Sequence, residues 1–181
     1  MHAAGSSADQ AEMPRLRPEL DRSDLVRRAQ LGSVAAFEQL VLVVGPSVHR
    51  YLALRLRNDS EVRDALQETL LAAWQGLPRL QQADKFLPWV LGIATHKAAD
   101  ARRGRVRTSD ADVELQGRED ESAGEIRQAI LTLPASFRDV LLLRYVLQLS
   151  EDEVAEALGV RRGTVKSRTS RARKALGERL R

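Results

Sequence analysis

The 181-residue chain contains no cysteine, which excludes disulfides and thiolate metal sites and leaves nothing that asks for an oxidising compartment. Aromatic residues make up only 4% of it, so any core must be built from aliphatic side chains. Thr, Ile and Tyr, the residues that favour strands, are few. No apolar run approaches the ~18 residues of a membrane span, and the N-terminus lacks a basic-then-apolar signal pattern. These absences predict a cytoplasmic protein without membrane insertion. The three histidines (His2, His49 and His96) are scattered and have no metal-ligand spacing. There is no glycine-rich phosphate loop and no nucleophile elbow. Neither a catalytic residue nor a metal or cofactor is expected.

What the chain does have is helical periodicity. Its hydrophobic content of 43% falls into 3.6-residue patterns, which predicts an all-α fold. The most informative stretch is 150–176. Ser150 followed by Glu153 is a capping box, and Glu151 and Asp152 add negative charge at the positive end of the helix dipole. Val154, Ala155, Ala157 and Leu158 share one apolar face. Gly159 stands where the chain must enter the left-handed region, which glycine does without steric penalty. A second helix, starting near Gly163, keeps Val165, Ala172 and Leu176 on one side and turns basic residues outward. From 161 to 181 there are nine Lys or Arg and one acid, a local charge of +8 in a chain that totals only +4. An acidic helix, a glycine turn and a basic helix form the pattern of a DNA-binding helix-turn-helix.

Two small helical domains are expected. Residues 1–22 have no periodicity and read as a disordered leader. The first domain, 23–103, opens on a helix over DLVRRAQLG with Ser23 as its cap. Ser33 caps the next, whose pattern of Ala36, Phe37, Leu40, Val41 and Val44 meets a break or kink at Gly45–Pro46. Four consecutive apolar residues, 41–44, force at least one outward. In EVRDALQETLLAAW, Val62, Leu66, Thr69, Leu70, Ala73 and Trp74 form the inward stripe, and Glu61, Asp64, Gln67, Glu68 and Leu71 lie opposite. A loop over 77–84 leads into a helix from Phe86 to about Arg103, basic at its end. Residues 104–124 are rich in acids and lack an apolar face, so they read as a flexible linker extended by its own charge. The second domain, 125–181, places Phe137, Val140, Leu141 and Tyr145 beneath the helix-turn-helix.

Taken together, DLVRRAQLGSVAAFEQL, DSEVRDALQETLLAAW, FLPWVLGIATHKAADARR and the run 133–176 resemble the bacterial RNA polymerase sigma factors of the extracytoplasmic function (ECF) group. QETLLAAW and LGVRRGTVKSRTSRARKAL are the most specific pieces. The resemblance implies that the first domain melts and reads the promoter −10 element and the second reads the −35 element. It implies core RNA polymerase as partner, through its β′ clamp and β flap, together with promoter DNA, and an anti-sigma factor as a partner the family can take. The clamp dock would fall on Asp64, Gln67 and Glu68, a face that by its own composition reads as solvated. The loop 78–85 would wall a pocket for a flipped base. Phe86 and Trp89 at its edge could stack on bases or lie in the core.

Contacts to the −10 strand would come from His96, Lys97, Asp100 and Arg103; His96 stands where the family often has an amide. At the −35 element, Lys166, Arg168 and Arg171 would reach base edges, and Arg161, Arg162, Thr164, Ser167, Arg173 and Lys174 would hold phosphates. Arg161 occupies a cap position that would ordinarily favour Ser. The rival reading is a helix-turn-helix regulator that binds duplex DNA without polymerase. A third, an enzyme with an accessory DNA-binding domain, has no catalytic constellation to support it.

Overall fold

The computed structural model describes residues 22–108 and 121–180. Among them every regular element is helical. The expected leader, up to residue 21, and the middle of the expected acidic linker, 109–120, lie outside the described residues.

The first domain is a four-helix unit. Helix α1 (Arg22–Gln30) begins one residue before the expected cap Ser23 and buries Leu25, Val26 and Ala29. Helix α2 (Val34–Ala53) is capped by the Ser33 hydroxyl, which accepts from the Ala36 N–H at 3.3 Å. Contrary to the expected break at Gly45–Pro46, α2 runs through Pro46. Pro46 is exposed, and the carbonyl it leaves unbonded belongs to Leu42, itself 76% exposed, so water can take the place of the missing N–H. Of the four consecutive apolar residues, Leu42 and Val43 point outward while Val44 is buried.

Helix α3 (Asp59–Gly76) is capped by Asn58, whose side chain accepts from the Glu61 N–H at 2.8 Å. Its buried line is Val62, Ala65, Thr69 and Ala73, with Leu66, Leu70 and Trp74 half-buried beside it. The stretch read as a loop is two 3-10 turns, Leu77–Arg79 and Ala83–Lys85. Helix α4 (Phe86–Thr108) follows, longer than expected, with Phe86, Val90, Leu91, Ala94 and Ala98 buried.

In the second domain, α5 (Glu121–Thr132) starts inside the expected linker, so that linker is shorter at both ends than its composition suggests. Pro134 caps α6 (Ala135–Leu141), which passes directly into a π-type turn, Leu142–Val146. Helices α7 (Glu151–Leu158) and α8 (Arg162–Arg179) make the helix-turn-helix. The π-type turn shifts the register after Leu141. Tyr145 therefore emerges 53% exposed instead of packing in the core, while Val140 and Leu141 are buried and Phe137 half-buried as expected.

The two domains do not stand apart. Helix α4 packs on α7, and one apolar core runs from Val90 and Ala94 through Val140, Leu143, Val154 and Ala157 to Val165. A smaller cluster of Leu133, Leu141 and Ala172 joins the turn after α5 to α6 and α8.

Candidate nucleic-acid interface

The helix-turn-helix is built as its sequence dictates. The Ser150 N–H donates to Glu153 Oε2 at 2.8 Å, and the Glu153 N–H donates to Ser150 Oγ at 3.2 Å, so both halves of the capping box are present. The Ser150 N–H, and then the Ser150 hydroxyl, which donates to Glu153 Oε2 at 2.7 Å, hold the Glu153 carboxyl below the usual carboxylate range. Gly159 adopts φ 61° and ψ 36°, the left-handed turn that only glycine takes freely. Helix α8 then buries Val165 and Ala172 and turns Lys166, Ser167, Arg171, Arg173 and Lys174 into solvent. Its N-cap, Arg161, makes no side-chain capping bond, which leaves the first N–H groups of α8 open to an external acceptor.

Four of the expected −35 residues are held by contacts within the chain or lie partly buried. The Arg162 Nε lies 3.0 Å from Glu151 Oε2 and its Nη1 lies 3.5 Å from Asp152 Oδ2, so this guanidinium ties α8 to the acidic turn of α7. Thr164 is half-buried and its carbonyl accepts from the Ser167 hydroxyl at 3.1 Å. Arg168, three residues after the buried Val165, sits at the edge of the inward face and is half-buried. Arg171 folds back, its Nε donating to the Ser167 carbonyl at 3.3 Å.

Beside the exposed face lies a groove of about 530 Å³ lined by Arg144, Tyr145, Glu151, Lys166, Thr169, Ser170, Arg173 and Lys174. It brings Lys166, Arg173 and Lys174 together with three groups the sequence reading missed, Arg144, Tyr145 and Ser170. The turn that exposes Tyr145 is what forms its far wall. Four cations around one carboxylate give the groove the sign a phosphate backbone needs.

In the first domain, Asp64, Gln67 and Glu68 are all exposed on one face of α3, with Leu71 (56% exposed) continuing it. On α4, His96, Asp100 and Arg103 are exposed and Lys97 is half-buried. Arg103 is ion-paired to Asp100, and the Lys97 ammonium is 3.0 Å from Glu68 Oε2. Phe86 is buried in the core; Trp89 packs beneath Gly76, where an added Cβ would come within 3.0 Å of the indole. Phe86 therefore presents no free face for base stacking, and Trp89 is half-buried.

The turn region before α4 is held from an unexpected side. The Gln30 side-chain amide, at the end of α1, donates to the carbonyls of Leu77 (3.1 Å) and Leu80 (2.7 Å).

The two domains match two known regions: Sigma-70 region 2 over residues 40–108 and Sigma-70, region 4 over residues 123–176. The order and content of these regions make the chain a sigma-70-type transcription factor. The ECF RNA polymerase sigma factor SigD of Mycobacterium tuberculosis is 33% identical, over 88% of this chain and 84% of its own. The ECF sigma factor SigW of Bacillus subtilis is 28% identical, over 86% and 95%. Among solved structures, CnrH in complex with the cytosolic domain of CnrY has a TM-score of 0.72 at 25% identity, covering 88% of this chain and 96% of that one. The sigma factor RpoE of Bartonella quintana, solved with the anti-sigma factor NepR, shares the fold with a TM-score of 0.68 at 24% identity, over 81% and 98%. The chain belongs to the ECF group of RNA polymerase sigma factors. It directs RNA polymerase to promoters in transcription initiation, and the reading as a polymerase-independent regulator is not favoured.

No helix among the described residues is long and apolar enough to cross a membrane, and no cluster of His, Asp or Glu there has the makings of a metal site.

Proposed function

We propose that the first domain, from α1 to α4, reads and opens the promoter −10 element and that the helix-turn-helix domain reads the −35 element in the major groove. The observation that carries this is the outward face of α8. Lys166, Ser167, Arg171, Arg173 and Lys174 are all solvent-facing on a helix whose opposite side is fixed by Val165 and Ala172. Lys166 and Arg171 are the base readers in this proposal, with Arg168 at the margin. Arg161, Thr164, Ser167, Arg173 and Lys174 hold phosphates, with Arg144 and Tyr145 extending the backbone track. Arg162 orients α8 through Glu151 and Asp152 and meets DNA only at its rim.

On the first domain, Asp64, Gln67 and Glu68 dock on the β′ clamp of core polymerase, with Leu71 supplying apolar area; the β flap engages the second domain. His96, Lys97, Asp100 and Arg103 face the −10 strand, and the turns over 77–85 wall the base pocket. An anti-sigma factor is a further partner in this proposal; CnrH, which has a similar domain arrangement, was solved with CnrY bound.

The test is binding to duplexes with and without a selected −35 sequence across a salt series. The log–log slope should be about −0.9 per phosphate neutralised. Arg173→Ala should weaken both duplexes alike, and Arg171→Ala should also erase ~1–3 kcal/mol of base preference. Equal losses on both duplexes for both variants would contradict the base-reading assignment.

A further inference from the structure

The groove beside α8 carries one charge of the wrong sign for DNA. Arg144, Lys166, Arg173 and Lys174 line it, and so does Glu151, the first residue of α7. That acid does not stand at the open rim: its side chain is 29% exposed, against 62% for its neighbour Asp152. A phosphate backbone laid in the groove is held by the cations and repelled at this one point. One cation that does not line the groove answers the acid. The Arg162 Nε donates to Glu151 Oε2 at 3.0 Å, and its Nη1 lies 3.5 Å from Asp152 Oδ2. Arg162 is the first residue of α8, so the bond places Glu151 at that end of the groove. At 1.5 Å per residue, Lys166 lies ~6 Å further along the helix axis and Arg173 ~16 Å further. The acid is therefore near Lys166, which is assigned to a base edge, and far from Arg173 and Lys174, which are assigned to phosphates. A partly exposed pair of this kind contributes little to stability, so its consequence lies in what it does to a third charge, a DNA phosphate.

We propose that Glu151 is a specificity-determining residue, which keeps the phosphate backbone off the Lys166 end of the groove, and that Arg162 is a positioning residue, which sets the strength of this exclusion by neutralising part of the carboxylate charge. The proposal rests on the reading of α8 as the −35 helix. With the Lys166 end closed to it, the backbone runs past Arg173 and Lys174, and α8 enters the major groove in one register. Phosphate contacts fix register, and base contacts then specify sequence. A repulsive group at the wrong position raises the energy of misregistered complexes, so it adds discrimination without touching a base. Random duplexes are held by their phosphates alone and gain most when that group is removed. Arg162 acts through Glu151 and not on DNA.

Equilibrium binding of the full chain to a duplex with the selected −35 sequence and to a random duplex, at one salt concentration, tests this. Glu151→Gln keeps the size of the side chain and removes its charge. It should bind both duplexes more tightly, the random one most, so that the ratio of the two affinities falls severalfold. Arg162→Ala should weaken binding to both severalfold, and Arg162→Lys, which keeps the charge, should restore most of the loss. Both Glu151→Gln and Arg162→Ala break the same bond, so a purely structural role would move binding the same way in each; the proposal requires opposite directions. In the double variant the loss due to Arg162→Ala should vanish, leaving the affinities of Glu151→Gln. An equal loss in that background would show that Arg162 holds a phosphate itself, and would overturn the proposal. An unchanged affinity ratio in Glu151→Gln would overturn it as well. If the wild-type chain prefers no duplex over random DNA, the −35 assignment fails; if it does discriminate and Glu151→Gln discriminates equally, only the role of Glu151 fails.

Discussion

Lys97 and Glu68 face each other at 3.0 Å across α4 and α3, so a residue assigned to the promoter strand neutralises one assigned to the polymerase. The pair is partly exposed, and such pairs contribute ~0.2–1 kcal/mol to stability. Under the proposed assignments, the Lys97 ammonium is occupied while Glu68 is free of polymerase, and engagement of Glu68 by the clamp would release Lys97 towards DNA. Glu68→Ala should therefore raise affinity for single-stranded −10 DNA severalfold at low salt, measured by fluorescence anisotropy of the full chain. The gain should vanish in the Lys97→Ala background. Unchanged affinity in Glu68→Ala would contradict the coupling.

The capping box at α7 makes a pH-dependent prediction. Hydrogen bonds from Ser150 depress the Glu153 carboxyl, so its contribution is fully present above the unfolded value near ~4.3 and is lost as pH falls through the lower folded value. Ser150→Ala should cost ~1 kcal/mol in urea melts at pH 7. Glu153→Gln should be less stable than wild type at pH 7, by a margin that shrinks as pH falls below ~4.3. A difference that persists undiminished at pH 3 would show that the carboxylate charge is not its source.

Gln30 lies outside the matched Sigma-70 region 2, yet its amide fixes two carbonyls of the turn that precedes α4. Gln30→Ala should leave core-polymerase binding and duplex −35 binding unchanged while slowing open-complex formation, read by permanganate reactivity of unpaired thymines. A template already unpaired at −10 should restore the rate. If the unpaired template is used no better, the defect lies elsewhere than in melting.

The helix-turn-helix was legible because its signals are local. Ser150, Glu153 and Gly159 lie within ten residues of one another, and each has a backbone requirement that its chemistry meets. The exposed face of α3 was legible for the same reason, since Asp64, Gln67 and Glu68 share one side of a single periodic helix. What stayed hidden depends on partners distant in sequence. Nothing local marks Asp139 or Gly92; the first is explained only by Arg55 and Tyr51 beside it, and the second by the Ala157 carbonyl close against it. Gln30 could not be found because its partners are backbone carbonyls, which leave no mark in sequence. Helical spacing carried past Leu141 puts Tyr145 in the core, but a π-type turn there adds a residue to the register. Pro46 signals a break in sequence, but the carbonyl it frees belongs to the exposed Leu42 and α2 continues.

Run-off transcription with purified core RNA polymerase on a promoter library tests the central claim most directly. With the wild-type chain, defined promoters should be transcribed that core polymerase alone ignores. Asp64→Arg combined with Gln67→Ala should abolish those transcripts while leaving helicity and melting temperature near wild type, because exposed substitutions usually shift stability by less than ~0.5 kcal/mol. A chain that binds −35 duplexes but never redirects core polymerase to any promoter would contradict the account.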